Sequence, residues 1–137
     1  MFTKTDLYQI FRYPVALFGI NLFLYTLFPR WSEYWHADIP LHFLGGLSIA
    51  CGARRVWEVL RRERVLTSSS KLALGYVMVA TVALVAVLWE GYEFFWDLTF
   101  GTYYQKSNFD TSKDLLLGLA GGLVYTLAKL KNRFPKT

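Results

Sequence analysis

Hydrophobic positions along the 137-residue chain gather into four long blocks parted by short polar stretches. Leu72–Trp89 runs for eighteen residues without Asp, Glu, Lys or Arg, and Tyr13–Pro29, Ile39–Ala53 and Leu115–Ala128 are equally free of them. Such blocks are too long and too evenly apolar for strands, whose apolar runs end after four to eight residues. The pattern predicts helices over about 13–29, 38–57, 72–97 and 110–130. It therefore predicts an all-α membrane protein, a four-transmembrane-helix bundle forming a single membrane domain over 1–137. A bilayer core takes about 20 residues of helix. Only the third block comes close to that length, so the others must recruit flanking polar residues to complete a span.

The first twelve residues read differently. Phe2, Leu7, Ile10 and Phe11 are apolar among polar neighbours, which predicts an amphipathic segment, 1–12, on the membrane surface before Pro14 opens the first span. The first block leads into the bulky "FPRWSEYWHAD" and not into a small-residue cleavage site, so it reads as a retained helix.

Composition agrees: 54% of residues are hydrophobic and 18% aromatic. The net charge of +5 matters less than its placement. Arg54, Arg55, Arg61, Arg62, Arg64 and Lys71 fall between the second and third blocks. Lys129, Lys131, Arg133 and Lys136 follow the fourth, and Lys4 and Arg12 precede the first. The other two links hold only Arg30, Lys106 and Lys113. Basic residues collect on the cytoplasmic side, so both termini are expected there, with two links outside. Juxtamembrane arginines account for the basic run, and no nucleic-acid partner is expected. Trp31, Tyr34, Trp35, Tyr92, Trp96, Tyr103 and Tyr104 would form an outer aromatic belt. The lone cysteine, Cys51, rules out an internal disulfide and reads as a small apolar filler.

The informative chemistry is acidic. The second helix opens "DIPLHFLGG", the third closes "LWEGYEFFWD" and the fourth opens "DTSKDLLLG". Under this topology Asp38, His42, Glu90, Glu93, Asp97, Asp110 and Asp114 all fall at the outer end. Asp38 and Asp110 mark helix entrances, and Asp110 is suited to cap the fourth. His42 and Asp114 lie about 6 Å deeper. Asp38, His42, Gly46 and Ala50 share a face, as do Asp110, Asp114, Gly118 and Gly122, with Gly121 beside them. Glu93, Glu90, Ala86 and Ala83 line up on the third helix. Small residues mark where membrane helices approach closely, so these charged groups are expected to point inward. Caps and interface anchors suffice for Asp38, Asp97 and Asp110. His42, Glu90 and Asp114 are deeper and are the candidate catalytic residues, with Glu93 between the two groups. Asn21, the glycine pairs at 45–46 and 121–122, and a solvated His36 read as structural.

The order Asp-x3-His-Phe, then a helix ending in Glu, then Asp-Thr-x2-Asp-Leu resembles the VanZ-like and YjdF-type small bacterial inner-membrane proteins. The resemblance runs from Asp38 to the end of the fourth helix. The Asp-Thr-x2-Asp piece is more similar to the YjdF type, since VanZ-like proteins typically place Asn where Asp114 stands. It implies a multi-pass protein of the bacterial cytoplasmic (inner) membrane, with VanZ itself associated with glycopeptide resistance.

Three functions compete. Asp38, His42, Glu90, Glu93, Asp110 and Asp114 offer carboxylate and imidazole ligands suited to a divalent metal ion, Mg, Mn, Zn or Fe. Such an ion could activate water or clamp a lipid-linked phosphate; without it, carboxylates sharing protons could supply a general acid, with His42 as base. The alternative is a non-catalytic interaction module whose acids close the bundle around membrane lipid, an envelope precursor or a partner protein. Third is an ion- or proton-coupled transporter, which four short helices could form only as an oligomer. No HExxH pair, Cys–His set or serine nucleophile arrangement is present, and no organic cofactor is indicated.

Overall fold

The computed structural model describes residues 2–28, 35–67 and 70–131. It consists of four helices, and the described residues contain no strand. They are α1 (Lys4–Leu27), α2 (Trp35–Arg62), α3 (Lys71–Phe100) and α4 (Asn108–Lys131). Arg30, Trp31, Tyr34, Arg133 and Lys136 lie outside the described residues, as do the side chains of Trp35 and His36.

The first helix corrects the expected break at Pro14. No separate surface segment precedes it: α1 starts at Lys4 and continues through Pro14. Two local devices explain this. Thr3 and Asp6 form a reciprocal capping box, each side chain accepting from the other's backbone N–H at 3.1 and 3.0 Å, which satisfies donors that a helix start would leave bare. Proline then removes the N–H that would bond the Ile10 carbonyl. That carbonyl faces Gly52 of α2, where a side chain would come within 3.0 Å of it. The glycine lets the two helices close up where the proline has interrupted the hydrogen-bond ladder.

Asp6 has a second task. It is 1% exposed, and its carboxylate receives Arg55 at 2.8 Å and both terminal nitrogens of Arg62 at 2.8 and 3.2 Å. Removing one partner of such a network leaves the remaining charges uncompensated. Asp6→Asn is therefore expected to lower the melting temperature in detergent and speed amide exchange over 4–13. Unchanged exchange there would show that the network does not hold α1 to α2.

α2 packs against the other three helices, and α4 packs on α2 and α3. The α2–α4 crossing is close. A methyl group at Gly46 would overlap the Gly118 carbonyl, and one at Gly121 would overlap the Phe43 carbonyl. A methyl group at Gly122 would meet Val82 of α3 at 2.8 Å. The small-residue columns thus face one another, and the inner half of the bundle fills with Ala50, Ala53, Trp57, Leu74, Met78 and Val82.

The outside is apolar. Leu72, Tyr76, Leu84, Leu88, Phe95 and Leu127 are among many large hydrophobic side chains left exposed. An apolar surface on this scale would associate in water and is at home in lipid. Two helices, α1 over Lys4–Leu24 and α3 over Lys71–Phe100, are long and apolar enough to cross a membrane. α2 and α4 are less evenly apolar for a physical reason. Their length is shared between the glycine-rich crossing and charged end turns, with Asp38, Arg61 and Arg62 on α2 and Asp110, Lys129 and Lys131 on α4.

Candidate functional site

His42, Glu90 and Asp114 meet near one end of the bundle. Each offers one ligand atom, and these atoms lie within 4.8 Å of one another. His42 Nε2 and Asp114 Oδ2 are 3.6 Å apart. The position follows from the helix crossing: His42 is one turn from Gly46 on α2, and Asp114 is one turn from Gly118 on α4. The glycine contact therefore fixes the imidazole against the carboxylate, and α3, packed on both helices, supplies Glu90.

Glu90 and Asp114 are buried, and His42 is half-buried. Two carboxylate oxygens there, Glu90 Oε1 and Asp114 Oδ1, are buried without a hydrogen bond. Asp114 Oδ1 has only the longer 3.4 Å approach of the Lys113 ammonium. Buried carboxylate oxygens ordinarily have close partners, and Glu90 Oε1 has none.

The other expected residues separate from this trio. Asp38 pairs with Lys106 at 3.1 Å and Asp110 with Lys113 at 2.6 Å. Asp110 does not cap α4: α4 begins at Asn108, and the Ser107 hydroxyl accepts the Asp110 N–H. Glu93 accepts the Trp89 indole N–H at 2.8 Å.

Several partners here were not singled out in the sequence. Lys106 and Lys113 neutralise the two entrance aspartates. Gln105 donates to the Glu90 backbone carbonyl at 2.9 Å and to its Oε2 at 3.2 Å. Asp97 places Gln105: it accepts from the Thr102 hydroxyl and from the Tyr104 and Gln105 N–H groups at 2.6–2.8 Å. The turn itself starts at Gly101, left-handed at φ 64°, whose N–H returns to the Asp97 carbonyl. The three acids closing the third block thus have three tasks. Glu90 joins the cluster, Glu93 holds an indole, and Asp97 folds the loop that reaches back to Glu90. The Lys113 pairing was readable from its i,i+3 spacing after Asp110. The Lys106 and Gln105 contacts depend on a loop conformation that no spacing reveals.

Beside the trio lies a cavity of about 200 Å³. It occurs where α1 runs along α2 and meets α3 through side chains, Phe18 standing edge-on to Trp89 at 6.0 Å between ring centres. Asp38, His42, Glu90, Glu93, Lys106 and Asp114 form its polar end, and Leu17, Phe18, Ile49, Val82 and Val85 its apolar walls. Asn21 also lines it. A ladder of Trp89, Tyr92, Trp96 and Phe100 continues along α3 with ring spacings of 5.5, 5.6 and 4.4 Å.

An apolar helical exterior around a buried His–Glu–Asp cluster defines an integral membrane protein of the all-α class with an internal polar site. Residues 7–133 match the family described as predicted membrane protein DUF2238. The chain belongs to that family. No curated protein and no solved structure gives a significant match.

Proposed function

We propose that the chain is a four-span inner-membrane protein that binds a divalent metal ion through His42, Glu90 and Asp114. We read the adjoining cavity as the seat of an amphiphilic, lipid-linked envelope substrate. The observation that carries this reading is the convergence of His42, Glu90 and Asp114, whose ligand atoms lie within 4.8 Å of one another while Glu90 Oε1 is buried without a hydrogen bond. A tetrahedral ion with bonds of about 2.1 Å would bring its ligands to roughly 3.4 Å of one another. Side-chain rotation of about an ångström would close the trio to that spacing. One imidazole with two carboxylates suits Zn²⁺ or Mn²⁺ best.

Asp38 and Asp110, each already paired with a lysine, serve in this reading as the polar rim and not as ligands. Glu93 is a reserve ligand whose proton acceptor capacity is partly committed to Trp89. The ion would neutralise a phosphate and activate a water next to it. The apolar walls suit a lipid chain, and Lys106 suits a second anionic group. The basic α2–α3 link supports cytoplasmic termini and an outward-facing cluster. The resemblance to VanZ-like and YjdF-type proteins supports an envelope role.

The lysine pairs favour one other reading, a non-catalytic module whose ion network only closes the bundle. One titration separates the two. A polyprenyl phosphate and the matching polyprenol are added to detergent-purified protein, with one equivalent of Zn²⁺ or with chelator. The phosphate form is expected to bind at least about tenfold better when metal is present. Binding indifferent to both metal and phosphate would favour the closing network.

A further inference from the structure

The opposite end of the molecule has its own cavity, of about 210 Å³, with a different chemistry. It lies about 18 Å from His42 along α2, counted to Arg54 at 1.5 Å per residue. Gln9 and Arg12 of α1, Arg54, Arg55 and Glu58 of α2, and Tyr125 of α4 line it. Three guanidinium groups and one carboxylate thus line it, with Cys51 of α2 also in the lining. Glu58 is already engaged with two of them, Arg54 at 2.9 Å and Arg55 at 3.2 Å. Arg12 forms no ion pair among the described residues. Its guanidinium lies over the Tyr13 ring at 4.4 Å and near the Tyr8 ring at 5.9 Å.

Arg55 is incompletely satisfied as well. Its terminal nitrogens reach Asp6 and Glu58, but its Nε is buried and has no partner. Glu58 is taken up by Arg54 and Arg55, which leaves the Arg12 guanidinium without an ion pair among the described residues and Arg55 Nε without a partner beside the cavity. The ammonium of Lys129 stands 5.3 Å over the ring of Tyr125, one of the lining residues. Planar guanidinium forks and a Gln amide match the oxygens of a phosphate group.

We infer that this cavity is an anion site that takes a phosphate group between α1 and α2, either from the headgroup of an anionic phospholipid or as free phosphate. The site is independent of the His42 cluster. Its occupant would bind α1 and α2 together at the end where Asp6 already ties them, so anionic lipid would stabilise the packing of a helix that otherwise makes few buried contacts.

The test uses detergent-purified full-length protein. Short-chain phosphatidylglycerol, phosphatidylcholine and inorganic phosphate are titrated at matched ionic strength, and binding is read by native mass spectrometry and thermal shift. Saturable binding of phosphatidylglycerol or of inorganic phosphate is expected. It should weaken at least about tenfold in Arg12→Gln and stay near wild type in Lys131→Gln, which removes one charge elsewhere. Phosphatidylglycerol binding that phosphate does not compete away identifies the headgroup, and competition by phosphate identifies the free ion as an occupant. Arg12 is exposed, so its replacement should leave the fold intact. Should that variant aggregate, Arg12→Lys keeps the charge and loses the fork, and it serves the same comparison. No saturable binding, phosphatidylglycerol binding no better than phosphatidylcholine, or equal losses in Arg12→Gln and Lys131→Gln would each overturn the proposal.

Discussion

Gly46→Ala is expected to cripple the protein while Gly45→Ala leaves it folded, although the two residues are adjacent and alike. A methyl group at Gly46 would overlap the Gly118 backbone carbonyl, which cannot rotate away. At Gly45 nothing lies within 4 Å of the added carbon. Overpacking costs about 1–3 kcal/mol even where side chains can shift, and a backbone partner puts Gly46→Ala at or above that range. Alanine is a better helix former than glycine by about 1 kcal/mol, so Gly45→Ala should be neutral or stabilising. Melting curves in detergent read the difference. Comparable melting temperatures for the two variants would mean that α2 and α4 do not cross at Gly46 and Gly118. The position of His42 against Asp114 would then have no support, because each is placed by the turn next to that crossing.

The second large effect concerns the metal. His42→Ala should lower affinity for Zn²⁺ by about 100-fold or more. Loss of an outer-shell partner alone typically costs 10–100-fold, and His42 is proposed as a direct ligand. Asp114→Asn should act in the same direction, and Asp38→Asn should have little effect because Asp38 is paired with Lys106. Affinity should fall as pH drops, since each ligand must shed its proton to bind. Equilibrium titration against a competing chelator measures all of these. A wild-type affinity matched by His42→Ala would remove the imidazole from the site.

Much of this architecture was legible in the residues. The four apolar blocks correspond to four helices because a long, unbroken apolar run is a local signal that needs no contacts distant in sequence. The inward aim of His42 and Asp114 was legible because each lies above a glycine on its own helix face. What was not legible follows from contacts distant in sequence. Pro14 looked like a helix start, and only the Gly52 approach shows why α1 passes through it. Asp6 looked like one polar residue in a surface segment, but it is a buried anchor for two arginines about fifty residues away. Asp38 and Asp110 read as caps and anchors that could also serve as metal ligands, and their lysine partners, Lys106 from the intervening loop and Lys113 from the first turn of α4, emerge only in the fold. Spacing identifies which groups share a helix face. It does not identify which of them a lysine has already neutralised.

His42, Glu90 and Asp114 are proposed to hold one metal ion together. X-ray absorption on protein loaded with one equivalent of Zn²⁺ tests it most directly. The expected first shell has one imidazole nitrogen and carboxylate oxygens at about 2.0–2.2 Å, with the imidazole scattering gone in His42→Ala. A shell of water oxygens alone, one containing the Cys51 sulfur, or one left unchanged by His42→Ala would contradict it.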